Sequence, residues 1–204
     1  MRTYIHSTAL ILALVLFGTG AVYGQATKFV ITGSATQIAG VPQNLTIQAD
    51  SAGSPAASYT GYKVLTFSGA NSSPSPVTAP SVADTGGFEI AFGSPTVLQF
   101  VNGLASVTAG KNGVMKLYLV ESATISVTDG VIQSVGGGKL DVAVSVGALG
   151  KFTFAIASPQ VNNVVFTGTN TLTAQDDWGN TVTTFNAASN PVTLSVNSLS
   201  GTVA

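Results

Sequence analysis

Few residues in this chain can do chemistry, and most of them gather in one place. In LTAQDDWGNTVTTF (Leu172–Phe185), the adjacent carboxylates Asp176 and Asp177, the only tryptophan, Trp178, and a Gly-Asn pair fall within five residues. Such a cluster fits a metal loop, half of an acid/base pair, or a turn between two strands. Calcium takes six to eight oxygen ligands, and a helix-flanked calcium loop spaces its acids and closes with a Glu. Asp176 and Asp177 are therefore a calcium candidate only if adjoining loops add ligands. A glycosidase-type pair needs a second carboxylate held at a set distance. The other acids considered, Asp84, Glu89, Glu121, Asp129 and Asp141, fall mostly at strand ends and turns, and nothing in their spacing pairs them. A turn asks less, because Asp bonds its own backbone and Gly accepts positive φ. Trp178 at the tip is the candidate contact residue, stacking on a ligand or capping the end of a sandwich.

The usual catalytic groups are missing. There is no Cys, and the only His (His6) and only Arg (Arg2) lie in the first six residues. Without His or Cys downstream, Ser-His-Asp and Cys-His arrangements and common zinc sites are excluded there. No Lys follows a Ser by three residues, and no Gly-x-Ser-x-Gly elbow occurs. GGGK (Gly136–Lys139) has Gln133 and Leu140 where a phosphate loop needs Gly and Ser/Thr, so it reads as part of a hairpin. These absences predict a chain that is not an enzyme and that carries no cofactor.

The N-terminus explains where His6 and Arg2 go. Arg2, the apolar run Ala9–Phe17 and the small residues up to Val22-Tyr23-Gly24 have the layout of a secretory signal peptide over residues 1–24. The run is short for a bilayer span, which needs roughly 20 residues. The mature chain then holds six lysines against eight carboxylates, a formal charge of −2. Nucleic acid is excluded as a partner, since phosphates require clustered Lys and Arg. An exported chain without Cys has no disulfide framework, and its core must suffice.

Alternation of apolar and polar residues predicts strands at Lys28–Ile31, Asn44–Asp50, Lys63–Ser68, Thr96–Phe100, Gly103–Thr108, Met115–Ser122, Ala123–Gly130 and Lys139–Val146. Leu45, Ile47 and Ala49 share one face. Gly69–Gly87, with three prolines, and Val135–Lys139 read as loops. No apolar stripe of helical period follows the leader, so the fold class is all-β, a sandwich.

The opening cluster has a counterpart. LTIQAD-SAG (Leu45–Gly53) and LTAQDDWG (Leu172–Gly179) share Leu-Thr-x-Gln-x-Asp and a following Gly. Lys28-Phe29 matches Lys151-Phe152, Tyr59 matches Phe185, and VLTFS (Val64–Ser68) matches VTLSV (Val192–Val196), at offsets of 123 to 128 residues. That interval suits tandem domains, divided here into residues 25–148 and 149–204 and joined at Gly147–Gly150. The Asp-x-x-Gly segment follows a strand in both copies, which favours the turn.

These residues resemble bacterial immunoglobulin-like repeats of invasin-, intimin- and filamin-like surface proteins. TAQDDWGNTV (Thr173–Val182), PTVLQFVNGLASVTAG (Pro95–Gly110) and ATISVTDG (Ala123–Gly130) carry the likeness, which spans residues 26–204. Ser54-Pro55 departs from it and implies a remodelled hairpin tip. The resemblance implies an extracellular spacer or adhesion module with tandem immunoglobulin-like sandwiches, a surface protein or glycan as partner, and no catalytic residue. Some such domains carry a Lys–Asn isopeptide bond, for which Lys28, Lys63 or Lys116 would serve. The second copy stops early, which implies either further C-terminal repeats or completion by a strand-adding partner. The alternative function is a carbohydrate-binding accessory module, with Tyr59, Tyr62, Tyr118 and Trp178 available to stack on sugars.

Overall fold

A computed structural model describes residues 24–161 and 163–193. Residues 1–23 of the expected signal peptide and the end of the VTLSV match lie outside the described residues. Strands come in chain order as β1 (Lys28–Thr32), β2 (Thr36–Ile38), β3 (Gln43–Asn44), β4 (Thr46–Ser51) and β5 (Ser54–Pro55). Then follow β6 (Gly61–Ser68), β7 (Ser81–Ala83), β8 (Glu89–Ala91), β9 (Pro95–Phe100) and β10 (Leu104–Ser106). The last are β11 (Val114–Lys116), β12 (Ser122–Thr128), β13 (Leu140–Ser145), β14 (Lys151–Ala155) and β15 (Thr171–Gln175). No helix of the described residues is long and apolar enough to cross a membrane.

The chain is all-β, a sandwich of packed sheets. One sheet has the order β1-β4-β10, with β5 hairpinned onto β4; another runs β2-β13-β12-β6-β9; a third runs β3-β11-β7-β8. Alternation places the core. Leu45, Ile47 and Ala49 are all buried, as are Leu65 and Phe67 of β6, Leu98 and Phe100 of β9, and Ile125 and Val127 of β12. Each such side chain contributes about 1.5–3 kcal/mol when it leaves water. This cluster runs from Phe29 to Val144.

Three segments differ from the sequence expectation. Ser81–Ala83, inside the proline-rich loop, is a strand paired on both sides, Val82 facing Met115 and Ile90. All three residues are buried, so no alternation marks it. Met115–Ser122 stays in a ladder only to Lys116, because the carbonyls of Leu117 and Tyr118 are bonded by Gly40 N–H and the Asn180 side chain instead. The glycine run closes a 3-10 turn, Gly136–Gly138.

Beyond Val144 the architecture thins. β14 and β15 pair antiparallel, Phe152 opposite Ala174 and Phe154 opposite Leu172. Among the described residues past 148, only Ala174 and Val182 are buried hydrophobics, while Phe154 is 47% exposed.

Candidate functional site

The Asp176–Asn180 turn is built from the inside of the joint outwards. β15 ends at Gln175, and the next carboxylate, Asp176, is 1% exposed. Its Oδ1 accepts the N–H groups of Trp178 at 3.0 Å and Asn180 at 2.9 Å, the local Asp-turn geometry. Its Oδ2 accepts the Gly147 N–H at 3.1 Å and the Asn180 side-chain amide at 2.8 Å. Gly147 belongs to the connection that follows β13, so one carboxylate ties the turn to the linker.

Asn180 extends the tie into the first sandwich. Its Nδ2 also donates to the Tyr118 carbonyl at 2.8 Å, and its Oδ1 accepts the Val120 N–H at 2.9 Å. Tyr118 and Val120 lie where the chain passes from β11 to β12. Both sides of the Asn180 amide thus stand in for a strand rung that the sheet lacks there.

Packing closes around these bonds. The Trp178 and Tyr118 rings meet at 4.4 Å between centroids. Gly40 lies against the indole, and a Cβ there would overlap it. Gly179 holds φ +87° and lets the turn approach the Ser75 backbone, where a Cβ would stand 2.7 Å from the Ser75 carbonyl oxygen. Ser75 N–H donates to the Trp178 carbonyl at 3.2 Å. Lys151 donates to the carbonyls of Ser75 and Asp177, the latter at 3.2 Å.

Burial pushes the Asp176 carboxyl up. Bonds from the Asn180 side chain and the N–H groups of Gly147, Asn180 and Trp178 outweigh it and hold the group below the usual range. Four N–H donors occupy the positions that a cation would use, and Asp177 is exposed. Among the described residues no three His, Cys, Asp or Glu side chains gather as metal ligands do.

The remaining acids serve their own surroundings. Asp84 accepts from Gly86 and Phe88 N–H, Glu121 from Asn71, and Asp141 from the Thr124 hydroxyl. Asp129 accepts from the Tyr59 hydroxyl at 2.7 Å and from Val131 and Ile132 N–H. Glu89 is paired with Lys116 and takes hydroxyls from Ser81 and Tyr118, each at 3.2 Å. In the segment of similar sequence, Asp50 takes the Gly53 N–H at 3.1 Å and faces Lys28 at 3.8 Å. Lys63 lies over the Tyr59 ring, 4.8 Å from its centroid. Lys28, Lys63 and Lys116 thus meet a carboxylate or a ring.

The aromatic residues separate in the same way. Tyr118 is buried, Trp178 is half-buried on the core, and Tyr59 is fixed by Asp129 while packing edge-on to Phe29 and Phe100. Tyr62 is 69% exposed. The sequence marked Asp176 and Trp178, but not their partners. Tyr118, Val120, Gly147 and Ser75 contribute backbone groups, which no residue type labels. Comparison with protein-family models, curated proteins and solved structures gives no match.

Proposed function

We propose that the chain is a non-catalytic, exported spacer or adhesion module made of tandem immunoglobulin-like β-sandwiches that hold distance and present loops at the cell surface. The observation that carries this reading is the joint. A flexible tether would leave the linker and the second unit's first turn in water, whereas here Asp176 and Asn180 are buried against the first sandwich. A joint made of directed bonds transmits orientation from one unit to the next, as a stalk requires.

Strand order supports the immunoglobulin-like assignment. In that fold one sheet contains strands A, B, E and D, and the other C, F and G; among the described residues no strand pairs beyond β10, where D would lie. β1-β4-β10 and β6-β12-β13 have the remaining positions, and β2 runs parallel to β13. The repeat is supported by two matched features. β1–β4 and β14–β15 are both antiparallel pairs leading into an Asp turn, with the second register two residues shorter: Lys28 faces Asp50, whereas Lys151 faces Gln175. Phe29–Tyr59 and Phe152–Phe185 are both edge-to-face contacts, at 5.7 and 5.1 Å.

Small-angle scattering on the chain and on Asn180→Ala tests the function. A rigid joint predicts one fixed maximum dimension for the parent and a broadened, longer distance distribution for the variant. Identical, broad profiles for both would sink the spacer reading.

A further inference from the structure

We propose that the outer face of the five-stranded sheet, from Tyr62 to a groove beside Lys139, binds a linear polysaccharide bearing carboxylates. This site is separate from the joint and does not depend on it.

Alternation along β6 turns Leu65 and Phe67 inward and Tyr62, Val64, Thr66 and Ser68 outward. At about 3.3 Å per residue, Tyr62 and Ser68 stand about 20 Å apart on a nearly straight line. Register sets Thr128 beside Thr66 and Ser126 beside Ser68, so a double row of hydroxyls follows the aromatic ring. The row runs into a groove of about 320 Å³ lined by Ser68, Ser126, Thr128, Gln133 and Lys139. Sites for small ligands begin at roughly 300 Å³.

Charge selects the ligand. Lys28 and Lys116 face carboxylates, Lys63 covers Tyr59 and Lys151 serves the joint; Lys111 and Lys139 form no ion pair among the described residues, and of these two only Lys139 lines the groove. The acid nearest to it in the chain on this face, Asp141, is engaged by Thr124 at 2.6 Å. An ammonium without a salt-bridge partner among the described residues, at the end of a hydroxyl track, accommodates a carboxylate on a hydroxyl-rich polymer. The exposed Tyr62 ring supplies the flat apolar surface on which a sugar ring stacks. Of the four aromatic residues read from the sequence as sugar platforms, Tyr62 alone has its ring largely in water.

Affinity electrophoresis of the full chain through gels containing polygalacturonate tests the proposal, with dextran and dextran sulfate gels beside it. Polygalacturonate should retard the chain and dextran should not. Lys139→Gln and Tyr62→Ala should each weaken retardation at least tenfold with an unchanged thermal midpoint, while Lys111→Gln should leave it intact. No retardation by polygalacturonate overturns the proposal, as does retardation that survives Lys139→Gln. Equal retardation by dextran sulfate that survives Tyr62→Ala identifies general charge attraction and overturns it as well. None of these results touches the spacer reading, which rests on the joint and is tested by scattering.

Discussion

Four N–H donors converge on the Asp176 carboxylate, and removing it leaves two buried and two partly buried donors without that acceptor. Unsatisfied buried donors cost about 1–3 kcal/mol each, partly relieved by relaxation, so Asp176→Ala should destabilise the joint by about 2–4 kcal/mol. Asp176→Asn should cost nearly as much, because its NH2 would face the donors of Gly147 and Asn180. Trp178, the only tryptophan, reports on this joint alone, so urea titrations followed by its fluorescence measure both variants. The pH dependence has a definite sign. A carboxyl held below its unfolded value near 4 stabilises the fold above that value and loses this contribution as pH falls from there through its lower folded value. Asp176 and Asp129 are both held low, burial raising them and hydrogen bonds outweighing it. Tyr59 is shifted the other way, first by burial and then by Asp129. Its contribution is present below about pH 10 and is lost as pH rises through its folded value. The urea midpoint should therefore be level between about pH 5 and 9 and fall on both sides. A midpoint still rising below pH 4 would contradict the buried-carboxylate account.

At the scale of elements, the strand edges decide what stays soluble. β9 ends one sheet, and its outer edge would offer free N–H and C=O groups to another chain. Asn112 occupies that edge. Its Oδ1 accepts the Gln99 N–H at 2.7 Å, and its Nδ2 donates to the carbonyls of Gln99 at 3.1 Å and Ser106 at 3.0 Å. Its backbone has φ +64°, a conformation that Asn tolerates and that Gly adopts without strain. Asn112→Gly isolates the side-chain rung. It should cost about 1–2 kcal/mol and raise light scattering on heating, since the edge opens. Loss of stability without added scattering would mean that the edge is protected otherwise. This element also marks how much of the fold was legible. Period-two runs exposed β4, β6, β9, β12 and β13, because each buries one face over five or more residues. β2, β3, β5 and β8 span two or three residues, too few to show a period, and β7 is buried throughout. The joint was legible only on one side. Its Asp, Trp, Gly and Asn sit together in sequence, while their receivers are backbone groups scattered from Gly40 to Gly147.

At the scale of the molecule, stability is divided unequally. The buried apolar cluster lies wholly between Phe29 and Val144, with Trp178 packed on its rim. Residues 149–193 bury few apolar side chains of their own, and a two-stranded pair is marginal in water by itself. The contact around Asp176 therefore acts in one direction, the sandwich of residues 29–144 lending order to β14, β15 and their turn. Produced as residues 24–148, the first sandwich should fold cooperatively, with a urea slope close to that of the full chain and a slightly lower midpoint. The reduction has a local cause. Tyr118 loses its ring contact with Trp178, and Val120 N–H and the Tyr118 carbonyl lose Asn180. Hydrogen exchange should accordingly quicken at Val120 and leave the amides of Ile47 and Ile125 protected. Residues 149–193 alone should give no cooperative transition, because the Phe154–Leu172 face has nothing to pack on and the Asp176 turn has lost its receivers. A cooperative transition in that shorter piece would show that it carries its own core, and the joint would then connect two independent bodies instead of supporting one on the other.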